Sequence, residues 1–157
     1  MQAYEKYGAA SPTGRGCASP LVLALLERAG GDLEQGDLAA AERRFAAAIA
    51  ADLTPTSRYA LAVELIDRGD LTRGLAQLEA AWDHARAIQS PHWRARCCHA
   101  LADAHRSCGR RDLADRFRQW ALRAELDADG EIDPVPWLRD RIDDDLTRGE
   151  SDACERQ

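Results

Sequence analysis

Apolar residues recur through the middle of this chain at three- and four-residue steps, the period of a helix with one face turned inward. Leu38, Ala41, Phe45, Ala48 and Ile49 make one such stripe, and Leu71, Leu75, Leu78, Ala81 and Trp82 make a second. A third holds Leu113, Phe117, Trp120 and Ala121, with Leu122 at its margin. Stripes of the same period precede two of these: Leu61, Ala62 and Leu65, then Trp93, Cys97, Leu101, Ala104 and Cys108.

Turn residues divide the stripes. Ser19-Pro20, Thr54-Pro55, Ser90-Pro91 and Asp133-Pro134 each offer a side-chain acceptor at a helix N-cap, followed by proline at the first helical position. Proline's missing N–H costs nothing there. The starts lie 35, 36 and 43 residues apart. Gly36-Asp37-Leu38, Gly69-Asp70-Leu71 and Gly109-Arg110-Arg111-Asp112-Leu113 follow the first three starts. Glycine there ends one helix in a left-handed conformation and the aspartate can cap the next. The spacing predicts helix pairs over 20–35/38–51, 55–68/71–88 and 91–108/111–126, with a last helix over about 135–147. Ala41, Gly74 and Ala114 each stand five residues after a turn glycine, where a small side chain lets the paired helices approach closely. No single pair can bury its stripe alone, so the pairs must stack, as in an α-solenoid.

The pattern Gly-Asp-Leu-x-x-Ala-x-x-x-Phe-x-x-Ala over 36–48 resembles the tetratricopeptide repeat. Residues 69–81 follow it with Gly74 in the alanine place and Leu78 in the aromatic place, and residues 81–124 resemble the long-helix variant of about 40 residues. That variant occurs in kinesin-light-chain-like and bacterial regulator proteins. The resemblance spans 20–126 and implies an all-α fold: an α-solenoid of three such hairpins plus a C-terminal capping helix. The chain departs from the family at Gly30-Gly31, which at about 1 kcal/mol per glycine should kink or shorten the first helix. It also departs at Arg58 and Arg111, which replace apolar residues, and at Phe117, displaced by one position. The expected organisation is a flexible leader over 1–18, repeats over about 19–53, 54–89 and 90–126, a linker and capping helix over 127–147, and a disordered tail over 148–157. The stripe Trp137, Leu138, Ile142 and Leu146, on an otherwise charged segment, has the form of a solenoid cap.

Composition narrows the function. The 157 residues are 45% hydrophobic and 31% charged, enough apolar content for a core and with no run long enough to span a bilayer. The scarcity of β-branched and aromatic residues beside abundant alanine favours helix. A net charge of −6 disfavours a nucleic-acid partner. All basic residues but Lys6 are arginine, which reads as the codon usage of a GC-rich genome. No secretory leader is visible, and five cysteines without scaffold spacing suit a reducing cytoplasm. Charge is uneven: residues 84–123 hold nine arginines against Asp103, Asp112 and Asp115, whereas 125–155 hold twelve acids against three arginines. The acidic segment can compensate the basic repeat directly, or the basic repeat can receive an acidic peptide for which the segment competes.

His92, Cys97, Cys98, His99, His105 and Cys108 are the densest ligand-type residues, with His84 one helix earlier. One straight helix cannot close a tetrahedral shell, and no CxxC or HxxxH pair is present, so these residues read as core and surface side chains and no metal or cofactor is expected. Gly-rich phosphate loops, GxSxG and HExxH are absent, and a non-enzymatic protein is expected.

The resemblance implies a protein–protein interaction module, an adaptor or scaffold that binds a peptide or protein segment in a concave groove. The groove positions correspond to Tyr59, Val63, Ile66, Arg96, His99, Asp103 and Arg106. Tyr59, Val63 and Ile66 would supply an apolar stripe, and Arg96 and Arg106 charge-assisted contacts to an acidic partner. Leu26 and Gly30 stand where the family's carboxylate clamp needs polar residues, which disfavours a chaperone-tail receptor. The alternative is a small secretion-type or assembly chaperone shielding a hydrophobic client.

Overall fold

The structure, a computed structural model, describes residues 18–129; the expected capping helix and its stripe lie outside them. Six helices follow one another: α1 Pro20–Glu34, α2 Leu38–Ala51, α3 Thr56–Asp67, α4 Leu71–Ala87, α5 Pro91–Ser107 and α6 Arg111–Asp129. No strand occurs among the described residues, so the fold is all-α. The helices pack as α1 with α2, α3 with α4 and α5 with α6, and the pairs meet through α2 with α3 and α4 with α5. Contacts such as Arg94 to Asp127 and Asp103 to Arg118 show that the last pair runs antiparallel.

The three turns inside the pairs close identically. Gly36, Gly69 and Gly109 have φ of 81°, 86° and 75°, the left-handed region that costs glycine least. Each glycine N–H, and the next residue's N–H, returns to a carbonyl of the last helical turn: Gly69 to Ile66 O and Asp70 to Leu65 O, both at 2.9 Å. This double closure satisfies carbonyls that the helix end would leave bare. Asp37 then caps α2 through Ala40 N at 3.0 Å, and Asp70 caps α4 through Arg73 N at 3.2 Å. Between the second and third pairs the same closure falls on Gln89, a non-glycine residue at φ 53°.

Two of the three expected N-caps in the described residues hold: Ser19 accepts from Val22 N and Ser90 from Trp93 N. Thr54 does not cap α3, which begins one residue later, after Pro55. Asp52 takes that role. Its Oδ1 accepts from Thr54 N and Oγ1 at 2.9 and 2.7 Å, and its Oδ2 accepts from Ser57 N and Oγ at 2.8 and 2.7 Å. Thr54, Thr56 and Ser57 are buried, so a longer-range carboxylate outcompetes the threonine expected from local spacing.

Gly30-Gly31 do not interrupt α1, which runs through them to Glu34; Val22, Leu26 and Ala29 bury its inner face and hold the helix despite the glycines' poor propensity. A Cβ at either glycine would meet nothing within 4 Å. Gly74 is different: a Cβ there would stand 2.5 Å from Ile66 Cγ1 and 3.2 Å from the Ala62 carbonyl oxygen. Ala41, Gly74 and Ala114 are all buried. Helix α6 extends to Asp129, three residues past the expected end, with Asp127 bonded to Arg94 at 3.1 Å.

The described core divides in three. Val22, Leu23, Leu26, Ala29, Phe45, Ala48 and Ala60 form one part around the first pair. A second joins Leu75, Leu78, Cys98, Leu101 and Phe117 of the second and third pairs, and a third gathers Ala81, Ala85, Trp93 and Cys97 of the same two pairs. Leu38 and Leu122, expected inside, are more than half exposed, and Leu113 is also exposed. Trp82 stacks on Trp120 at 5.2 Å, and Phe117 stands edge-on to both, at 5.6 and 5.0 Å, which ties α4 to α6.

Asp52→Ala is expected to destabilise the chain by about 2 kcal/mol, because it strips an exposed-side carboxylate from buried donors; the urea midpoint measures this. Gly30→Ala is expected to raise stability by about 1 kcal/mol. Gly74→Leu is expected to lower it by about 1–3 kcal/mol through overpacking against α3, and thermal unfolding separates the two signs.

Candidate functional site

Helix α3 is central to the surface assigned from sequence. Tyr59 is half-buried, and its ring meets Trp93 of α5 edge-on at 5.7 Å. The Arg96 guanidinium lies over both rings, 6.0 Å from the Tyr59 centroid and 5.6 Å from that of Trp93. Burial pushes the Tyr59 phenol above its ordinary pKa near 10, and the Arg96 charge works against that rise. The two residues are therefore brought together, but as a cation–π wedge between α3 and α5.

The other five positions are more dispersed. Val63 and Ile66 are half-buried on α3, and Ile66 packs down on Gly74. His99 Nε2 stands 2.6 Å from Glu125 Oε1, and Asp103 stands 4.0 Å from Arg118, so both engage α6. Arg106 is exposed in the last turn of α5.

The opposite side of α3 carries a feature that the sequence reading did not assign to function. A cleft of about 240 Å³ lies between the first two pairs, floored by Leu33, Ala41, Phe45, Leu61 and Leu65 and edged by Leu38. Its rim is charged. Arg73 reaches Glu42 across the cleft at 3.6 Å and Asp70 at 3.4 Å, while Arg68 donates to the Leu33 carbonyl at 3.4 Å. The buried face of α2 is mostly alanine (Ala40, Ala41, Ala48), whereas α4 buries Leu75 and Leu78. The seam of α2 on α3 is shorter than that of α4 on α5. The signal available in sequence was this alanine run beside leucines without matching partners.

Reactive groups are muted. Burial, and then the neighbouring thiol, push Cys97 up to about 12; burial pushes Cys98 to about 12 against the opposing charge of Arg94. Thiols of that pKa hold almost no thiolate at neutral pH. Among the described residues no three His, Cys, Asp or Glu side chains group as metal ligands. His105 is buried and stacks on Phe117 at 5.4 Å with the rings 9° from parallel, and its Nδ1 finds no partner. Burial, aided by Arg110 and opposed by Glu79, holds its pKa below 6.5.

A depressed histidine pKa means that below about pH 6.5 the unfolded chain binds a proton that the folded chain resists. Stability contributed by neutral His105 is therefore complete above that pH and is lost as pH falls towards the folded value. His105→Phe is expected to flatten the decline of the melting temperature between pH 7 and 5; equal slopes in variant and wild type would exclude this origin.

Compared with known proteins, the chain matches no family model, no curated protein and no solved structure.

Proposed function

We propose that the chain is an α-solenoid of three tetratricopeptide-like hairpins and works as a non-enzymatic adaptor that binds a protein or peptide segment. The observation that carries this reading is the repetition. Three turns share one glycine closure, one small residue five positions later and one antiparallel pairing, and the pairs join in chain order through α2 with α3 and α4 with α5. Units that cannot bury their stripes alone and stack in sequence leave an extended surface whose side chains are free to vary.

Two stretches of that surface suit a partner. One runs along α3 and α5, with Tyr59, Val63 and Ile66 half-buried and Arg106 exposed at its end. It suits a segment with carboxylates near its end. The other is the apolar cleft, sized for one or two bulky side chains and edged by an exposed leucine. The cleft and the exposed Leu21, Leu53 and Leu122 favour the second reading, a chaperone shielding a hydrophobic client.

Leu38→Asp and Arg106→Glu separate these surfaces, since both residues are exposed and neither substitution disturbs the core. Affinity capture from host lysate with wild type beside each variant is the test. An adaptor using the α3–α5 surface is expected to lose its partner with Arg106→Glu, whereas a chaperone using the cleft is expected to lose its client, and the client's solubility on co-expression, with Leu38→Asp. Unchanged capture by both variants, with helicity retained, would overturn both assignments.

A further inference from the structure

The cleft between the first two pairs joins an apolar floor to a rim that carries both signs of charge. Leu33, Phe45, Leu61 and Leu65 line its base, and Leu38, 52% exposed, stands at its edge. At about 240 Å³ it is smaller than the roughly 300–1,000 Å³ of sites that enclose drug-sized ligands, so it holds one small molecule or one or two large side chains. Arg68 and Arg73 supply the positive part of the rim, and Glu42, Glu64 and Asp70 the negative part. The contacts across the mouth are slack. Arg73 and Glu42, both more than half exposed, face each other at 3.6 Å, beyond hydrogen-bond length. Among the described residues Arg68 makes a single hydrogen bond, at 3.4 Å to the Leu33 carbonyl. Both guanidinium groups and the Glu42 carboxylate thus keep donors and acceptors for a ligand.

Each class of occupant meets this rim differently. An aliphatic carboxylate would bring its charge to the arginines but set it beside Glu42 and Asp70. An uncharged segment would cover the rim charges without pairing them, which costs desolvation and gains no new contact. A zwitterion satisfies both signs at once. Its carboxylate accepts from Arg68 and Arg73, its ammonium donates to Glu42, and its side chain replaces water on the leucines and Phe45 below. We propose that the cleft binds a free α-amino acid with a large apolar side chain. The charged head enters the open Arg73–Glu42 pair and bridges α4 to α2 across the junction of the first two pairs. This site lies apart from the α3–α5 surface, and the inference does not rest on the adaptor reading.

Titration of the full, isotope-labelled chain with L-leucine, followed by amide chemical shifts, tests the site. Shifts are expected to centre on Leu38, Glu42, Leu61 and Leu65 and to saturate with a Kd of about 1 mM. Arg68→Gln/Arg73→Gln is expected to weaken L-leucine about tenfold, the combined effect of two exposed charge-assisted contacts. Both arginines are exposed, so the variant keeps its fold, as unchanged shifts outside the cleft would show. N-acetyl-L-leucine amide carries the same side chain without charge, and glycine carries the charged head alone; each is expected to bind at least about tenfold more weakly than L-leucine. No cleft-centred shift at about 10 mM L-leucine would overturn the proposal. Equal affinity for wild type and the double variant, or for glycine and L-leucine, would do the same. Equal affinity for the uncharged amide would also overturn it, and would mark the cleft as a pocket for a client's side chain. None of these outcomes bears on partner capture by Arg106→Glu, so the adaptor reading and this one fail separately.

Discussion

A helix that ends leaves its last carbonyls without donors, and here that deficit is met within three residues. A glycine at positive φ lets two successive N–H groups fold back onto the last turn, and at Asp37 and Asp70 the next side chain immediately opens a new helix. Such a turn can only reverse the chain. It sets adjacent helices antiparallel and places the residue five positions later against its partner helix. Gly74, with no room for a methyl group, is the extreme of this demand.

Once the pairs exist, their seams decide how firmly they stack. The second and third pairs lock through leucines and an aromatic group in which Trp82, Phe117 and Trp120 meet in stacked and edge-on geometry. The first pair meets α3 over a shorter seam and leaves a cleft. Its attachment leans on Asp52, whose carboxylate, at the end of α2, holds the start of α3 with four hydrogen bonds. A polar clamp and a small apolar seam make this junction less consolidated than that between the second and third pairs, and its cleft opens it to an incoming side chain.

Arg96 illustrates why a candidate site is harder to read than a fold. Its helical position lies on the outward side of α5, which makes it look available to an acidic ligand. In space the guanidinium sits over Tyr59 and Trp93, residues 37 and 3 positions away in sequence. His99 and Asp103 are likewise directed to α6 by Glu125 and Arg118. Side-chain exposure depends on what the neighbouring helix offers, and no local period contains that information. The cleft was missed for the same reason: a void is a property of two faces together.

Local chemistry written into the chain determined helix type, order and turning points. Glycine conformation, caps and a 3.6-residue period each act within a few residues, so the six helices, their antiparallel pairing and the small residues at the close approaches are legible without coordinates. Tertiary contact decided what acts over distance. It kept α1 continuous across Gly30-Gly31, handed the start of α3 to Asp52 and left Leu38 in solvent over an apolar hollow. Burial and packing volume are set jointly by residues far apart in sequence, and only the folded chain brings those residues face to face.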